Sequence, residues 1–575
     1  MKWTRVLHSL FVLSCLISFF CCSTAREEAD LVLRGGKFLT MEEDNPQVQA
    51  VAIKGGRILA VGSDGEIGAY VGQQTEIIDL KGSLAVPGLI DGHGHFMSLG
   101  ESLMGLDLRH PATWGEIVAL VEKAAEGSEP GDWILGRGWH QDKWETPPAP
   151  NVEGLPTHRT LSDVSPQNPV MLIHVSGHGV FVNEQALHHV GFTRDTPDPP
   201  GGTIVRDAEG NPTGMLRETA QDPVREAVAA YRAQRGPEQI EKELRKHVEL
   251  AASEAISKGI TTFHDMGESF ETIDLLKTMA EEGNLPIRLW VAIQEPAEEL
   301  EKHLAQYRMV GYGNDFLTVR AIGEKVLDGA LGVHGGWLLE PYSDMPESVG
   351  FNVTPVEDIR RSAELAMEHG YQMAIQGIGD RAARELLNIY DGEFTKHPEN
   401  DDPRWRIEHC QVIHPEDLPR FAGLGVIASV RGVFATSDGP WVLNRLGEER
   451  ARERGYMYQT LFQSGAIVVN GTDPPVEDID PIANFYCSVT RKMVNGNVFF
   501  PEQKMTREQA LQSYTVNPAY AAFEENIKGS LEPGKLADIT VFSKDIMTIP
   551  DDELLSAEVI YTIIDGKIAF RRSGS

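Results

Sequence analysis

The chain begins and ends in short stretches of alternating apolar and polar residues. Between Asp30 and Pro87 these are "DLVLRGGKFLTM", "VQAVAIKGGRILAVG" and "TEIIDLKGSLAVPG". A period of two marks strands with one buried face, and the Gly-Gly pairs between the runs predict hairpins. "ADITVFSKD" and "VIYTIIDGKIAF", near the C-terminus, carry the same pattern. Each end is too short for a core of its own. Residues 28–87 and 524–572 are therefore expected to pair into one small β-sandwich.

Between them the rhythm changes to apolar strands alternating with amphipathic helices. In the helix predicted from Pro237 to Ser257, Ile240, Leu244, Val248, Ala252 and Ile256 recur every four residues. It leads into "GITTFHDMG", followed by "LPIRLWVAI", "LTVRAIGEKVLDG", "YQMAIQGIGD", "WRIEHCQ", "GVIASVRG" and "AIVVNGTDPP". With "LAVPGLIDGHGH" in front, the count is eight strands. A helix over Glu357 to Glu368 and one opened by the capping box Thr506-x-x-Gln509 punctuate the series. This alternation predicts an α/β fold with a parallel sheet, and eight repeats predict a (β/α)8 TIM barrel over residues 88–523. A doubly wound open sheet is the alternative. Residues 106–219 interrupt the series with Pro-, Gly- and Trp-rich segments such as "WETPPAPNVEGLP". That is too long for an unstructured loop. It is expected to be an inserted subdomain after strand one, at the C-terminal mouth of the barrel.

Composition narrows the function classes. A chain of 575 residues exceeds one compact core. The net charge of −33, spread along the chain, argues against nucleic acid or an anionic membrane as partner and fits a solvated acidic surface. Residues 1–25 read as a secretory signal peptide: Lys2 and Arg5, an apolar run from Val6 to Phe20, then Ser23 and Ala25 at cleavage-type positions. The protein is thus expected to be exported, with a retained N-terminal anchor, or a lipid on Cys21 or Cys22, as alternatives. Only Cys410 and Cys487 remain beyond that segment, which excludes a disulfide framework. A small-molecule substrate is expected, and homo-oligomerisation is left open.

In such a barrel, function sits at the C-terminal ends of the strands. The residues there are His93 and His95, His264 and Asp265, Glu324, Lys325 and Asp328, Gln376 and Asp380, His409, Arg431, and Asp473. Imidazoles and carboxylates suit a divalent transition metal, commonly zinc. His93 and His95 are two apart and face the same way on a strand. Taken singly, a His-x-His pair arises by chance, His409 reads as structural and Asp473 as a turn cap. Their joint placement at the ends of strands one, six and eight favours a metal site.

"VPGLIDGHGHF", "PPGGTIVRDAEGNPTGMLRETA", "GITTFHDMG", "DGALG", "IGDRA", "RIEHCQ", "GTDPPVEDIDPI" and the tail "NPAYAAFEENIKGSLEPGKLADITVF" resemble the amidohydrolase superfamily, specifically its amidohydrolase-3, or YtcJ-like, branch. The resemblance runs from about residue 28 to 572. It implies a distorted TIM barrel with a β-sandwich from both chain ends, and hydrolysis of non-peptide C–N bonds. By that resemblance His93 and His95 match the strand-one metal ligands, and His409 the strand-six histidine, usually a ligand. Asp473 matches the aspartate that binds metal and takes the proton from the attacking water. Other positions depart. Glu324 stands where a carboxylated lysine bridges two metals, and Gln376 where a histidine stands. Arg431 and Phe434 replace a common Gln and His. The expectation is one firmly held metal between His93, His95, Glu324 and Asp473, and a second near His409 that is weak or absent. Gln376 is then a weak or lost ligand. Lys325 as the bridging residue requires a one-residue bulge. His178, His264, Trp139 and Arg431 are expected to line the substrate pocket, with a structural turn as the alternative for His178, a core histidine bonded to backbone for His264 and packing for Trp139. The expected activity is metal-assisted amide-type hydrolysis, with Asp473 moving the proton and His409 facing the oxyanion if it is not on the metal. The competing expectations are a degenerate family member that binds a ligand without catalysis, and an ester hydrolase.

Overall fold

The computed structural model describes residues 27–141, 144–175 and 177–573; the segment read as a signal peptide lies outside them. Eight parallel strands run in sequential order: β1 (Leu89–Gly94), β2 (Ile260–Glu268), β3 (Arg288–Ile293), β4 (Leu317–Val326), β5 (Gln372–Gly377), β6 (Arg406–His409), β7 (Ile427–Val430) and β8 (Val468–Asn470). A ninth strand, Met309–Gly311, pairs antiparallel to β4. β3 and β5 are buried at every residue, as barrel strands covered on both faces must be. Within the barrel Trp290 packs among small side chains, including Ala292, Ala321 and Ala374.

The sequential order excludes the doubly wound alternative, and β8 returns to β1. Their seam is made beyond the last residue of β8, where the Asp473 amide donates to the His93 carbonyl and the His95 amide to the Pro474 carbonyl, both at 2.9 Å. Two glycines permit this approach. A Cβ on Gly92 would lie 2.2 Å from Val469 Cγ1, and one on Gly471 would lie 2.5 Å from the His93 amide nitrogen.

The two chain ends do form a sandwich. One sheet holds Leu31–Arg34, Ala50–Lys54, Arg57–Gly62 and Glu76–Asp79; the other joins Lys37–Leu39, Gln47–Val48 and Leu84–Pro87 to the C-terminal strands Ile539–Phe542, Val559–Ile564 and Lys567–Arg571. Gly55-Gly56 turns a hairpin as expected. Gly35-Gly36 does not: Leu31–Arg34 and Lys37–Leu39 lie in different sheets, so that pair carries the chain from one layer to the other.

The sandwich docks at the end of the barrel opposite the strand C-termini. Arg288, the first residue of β3, donates to both carboxylate oxygens of Asp538, at 2.7 and 3.1 Å. The Gly88 amide donates to the Asp538 carbonyl.

β1 leads into α1 (Phe96–Met104), and the insertion follows. Its six-stranded sheet, from Leu106–Asp107 to Pro212–Glu218, has its own apolar core around Trp114, Trp139, Trp144 and Phe181. The insertion extends beyond residue 219, because Val224 and Val228 of α2 (Asp222–Ala233) pack on its other face. The predicted helix α3 spans Pro237–Ser257, and the Thr506 capping box is formed.

Removing one partner of the Arg288–Asp538 pair leaves a buried charge unpaired. Arg288→Met is expected to destabilise the protein by about 3–5 kcal/mol, read as a lower urea midpoint. The double variant with Asp538→Leu should recover most of the loss. A double variant no more stable than the single one would refute the pairing as the cause.

Candidate metal centre

The rim of the barrel gathers five of the expected residues into one cluster. His93 Nε2 lies 3.7 Å from Glu324 Oε2 and 3.5 Å from Asp473 Oδ1. His95 Nε2 lies 3.9 and 3.4 Å from the same two atoms. His409 Nε2 is 3.3 Å from Glu324 Oε1. Ligands about 2.0–2.2 Å from a tetrahedral ion are about 3.3–3.6 Å from one another. These pairs lie at or a few tenths of an ångström beyond that spacing. Its atoms fall in two overlapping groups, His93 with His95 and Asp473, and His93 with Glu324 and His409. His93 Nε2, Glu324 Oε1 and Asp473 Oδ1 are buried without a hydrogen-bond partner. Orphaned buried polar atoms are costly, and a bound cation is one partner that relieves that cost.

Local backbone geometry aims these side chains. The register of β4 against β5 slips between Gly323 and Lys325, and the bulge turns Glu324 into the barrel. Lys325 points the other way and donates to the Glu295 carbonyl at 2.9 Å. The bulge that its bridging role required is present, but it delivers Glu324. His409 and Asp473 both have positive φ, 71° and 59°. Such conformations cost of order 1–3 kcal/mol in a non-glycine residue and persist where surrounding contacts impose them.

The charges are arranged around His93. Its Nδ1 lies 2.7 Å from Glu408 Oε2, which leaves Nε2 to face the cluster. The fully buried Glu408 also accepts from Arg406 Nε at 2.7 Å and Arg431 Nη2 at 3.1 Å. Burial would raise the Glu408 carboxyl, but Arg406, His93 and Arg431 hold it well below the usual range. Burial and the Arg431 field work against a charged His93, yet Glu324 and Asp473 outweigh them and lift it to about 9. Burial would also raise Asp473, but His93 and its neighbours keep it well below the usual carboxylate range. Burial lowers His409, against the pull of Glu324. The cluster thus favours a cation at its centre.

Several expected residues do not reach the cluster. The Gln376 side-chain amide donates to the Asp328 carbonyl, so it ties β5 to the end of β4. Asp328 accepts from the amides of Trp337, Ile378 and Gly379 and shapes the loops. Three pocket expectations are corrected. Arg431 is fully buried behind His93. His264 is fully buried, tilted against Trp290 and beside Arg406, in the barrel interior. Trp139 is 1% exposed and donates to the Leu172 carbonyl within the insertion core. His178 is half-buried and pairs with Glu218 at 3.0 Å, on the insertion. Phe434 packs on the His409 ring, 6.0 Å between centroids.

Sequence reasoning passed over Arg406 and Glu408, although "WRIEHCQ" contains both. The available signal was a pair of opposite charges two apart in a barrel strand, where both side chains must share a face. It also passed over Asp91, which accepts from the His93 and Thr472 amides at 3.2 and 3.0 Å and so braces the seam. Replacing Glu408 by Gln should weaken transition-metal retention about 10–100-fold, as expected for a partner that orients a ligand. Equilibrium dialysis against a chelator of known affinity measures it, and unchanged retention would refute the orienting role.

A family model described as "Amidohydrolase family" matches residues 76–570. The chain is 31% identical to the Arabidopsis thaliana protein LONG AFTER FAR-RED 3, over 94% of this chain and 91% of that protein. It is 27% identical to the N-substituted formamide deformylase of Arthrobacter pascens, over 95% and 99% respectively. The crystal structure of an uncharacterized metal-dependent hydrolase from Pyrococcus horikoshii OT3 superposes with a TM-score of 0.72 at 25% identity, covering 91% of this chain and 99% of that one. With this match, an eight-stranded barrel and a donor cluster at its rim, the chain belongs to the amidohydrolase family, hydrolases that act on carbon–nitrogen bonds other than peptide bonds.

Proposed function

We propose that this protein hydrolyses an amide-type bond of a small molecule at a single divalent metal, with zinc as the best match to the donor set. The observation that carries the reading is the convergence of His93, His95, Glu324, His409 and Asp473 around three buried, unpartnered donor atoms. A bound divalent ion lowers the pKa of a water and polarises the scissile carbonyl. The chain's own residues supply the rest. Asp473 is held ionised beside His93 and His95, so its carboxylate accepts the proton of the attacking water and delivers it to the leaving nitrogen. His409, neutral through burial, presents an N–H to the oxyanion when it is not a ligand. Glu408, clamped by two arginines, keeps His93 oriented through the cycle.

The departures at Gln376 and Arg431 weigh against a degenerate ligand-binding protein, because neither enters the five-residue cluster. The similarity to an N-substituted formamide deformylase makes formamides of primary amines the first substrates to test.

Purified protein is expected to hold about one equivalent of transition metal per chain. Less than about a tenth of an equivalent after gentle preparation would count against the reading. Asp473→Asn should lower kcat on a hydrolysed formamide about 10²–10⁴-fold, the usual worth of a positioned proton acceptor. Gln376→His should raise the metal content towards two equivalents; a content unchanged at one would show that more than this side chain excludes a second ion.

A further inference from the structure

Between α1 and the insertion lies a cavity of about 830 Å³, within the usual size range of small-molecule sites. It is bounded by α1, the insertion sheet, α2 and α3. Its walls are largely apolar, with Leu135, Met171, Ile173, Val228 and Ile240 among them. Into it project four arginines of two kinds. Arg232 and Arg235 are neutralised, Arg232 by Glu101 at 2.7 Å and Arg235 by Glu243 at 2.7 Å. Arg137, on the strand Ile134–Trp139, and Arg225, on α2, have no carboxylate within 4.0 Å among the described residues.

These two guanidiniums use neutral oxygens. Arg137 Nη2 makes a long bond, 3.4 Å, to the Val175 carbonyl, and its Nε is buried without a partner. Arg225 donates to Gln221 Oε1 at 3.0 and 2.9 Å and to the Gly177 carbonyl at 3.2 Å. The two carbonyls they bind lie two residues apart in the insertion. Burial, and after it the like charge of Arg225, pushes the Arg137 guanidinium down to about 10. Two half-buried cations that touch no carboxylate and share only the longer-range field of Glu101 are costly, and one anion in contact with both relieves that cost. The cavity shares α1 with the reacting centre. Ser98 and Glu101 of α1 line it, the helix starts directly after His95, and the charge of Asp473 reaches Arg137.

We infer that Arg137 and Arg225 form a carboxylate-recognition site, and that the small molecules bound in this cavity pair an apolar body with an anionic group. A guanidinium presents parallel donors that match a carboxylate, and the apolar walls accommodate the hydrocarbon next to it. For the hydrolytic reaction this names a substrate class, amides carrying a carboxylate away from the scissile bond; that extension rests on the proposed function.

The test separates binding from chemistry. The probes are 4-phenylbutyrate and its neutral counterpart 4-phenyl-1-butanol, titrated calorimetrically into the full metal-loaded chain. The acid is expected to bind at least about tenfold more tightly than the alcohol. Arg137→Gln and Arg225→Gln should each remove most of that preference, and Arg137→Lys should retain part of it. Equal binding of acid and alcohol, no binding of the acid at millimolar concentration, or a preference unchanged in Arg137→Gln would each overturn the inference. The last outcome would place the acid on the metal instead. The comparison of acid with alcohol on the native chain stands even if a variant fails to fold. Matched hydrolysis of 4-(2-formamidoethyl)benzoate and N-formylphenethylamine then tests the substrate class. Turnover without preference for the acid overturns that class and leaves the hydrolase reading intact.

Discussion

One buried carboxylate organises the reacting end of this barrel. Glu408 sits in the interior with no contact to solvent and is ringed by Arg406, Arg431 and His93. An isolated charge there would be prohibitive, and two guanidiniums with an imidazole make it tolerable. The arrangement has a direction. The arginines approach from the barrel interior and from β7, so the free face of the carboxylate meets His93 Nδ1 and fixes which ring nitrogen remains for the cluster. Arg406 also donates to the Gly92 carbonyl at 2.7 Å and to Ser429 Oγ at 3.1 Å, linking β1, β6 and β7 through one side chain. Barrel interior and metal cluster are thus held by the same charges, and a change to either is felt by both.

The departures from the two-metal pattern become coherent in this setting. A lysine bridging two ions needs length; the bulge in β4 instead brings a glutamate forward, close enough for Oε1 to meet His409 and Oε2 to meet His93. Where another histidine would stand, Gln376 holds the end of β4 by its backbone. Glu324 then draws His409 into the one cluster. Arg431, read from sequence as a residue of the mouth, is instead one of the charges that make Glu408 tolerable.

The barrel was legible because its strands are covered on both faces and so appear as continuous apolar runs, as in "LPIRLWVAI" over β3. The shared sandwich was legible because neither end could bury its alternating face alone. His93, His95, Glu324, His409 and Asp473 stood out because each ends an apolar run. Glu408 did not stand out: its meaning lies in a contact with His93 across 315 residues, and in the face of β6 it occupies. Gly35-Gly36 misled for a related reason, since a dipeptide announces a change of direction but not which sheet receives the next strand. Trp139 looked like a pocket wall because large aromatics favour both cores and sites, and only the insertion's own core decides between them.

The seam between β1 and β8 sets the order in which this molecule can become functional. Asp91 and Thr472, which lock it, are separated by 381 residues. At about 5–20 residues per second of synthesis, roughly 20–80 s pass between their emergence. Throughout that interval the two histidines of β1 exist without Asp473, and the unclosed barrel presents β1 as an open edge. A nascent chain can offer an ion only a fragment of the donor set. The full donor set therefore exists only after Asp473 has been made and the seam has closed, and until then β1 has the liability of an unpaired edge.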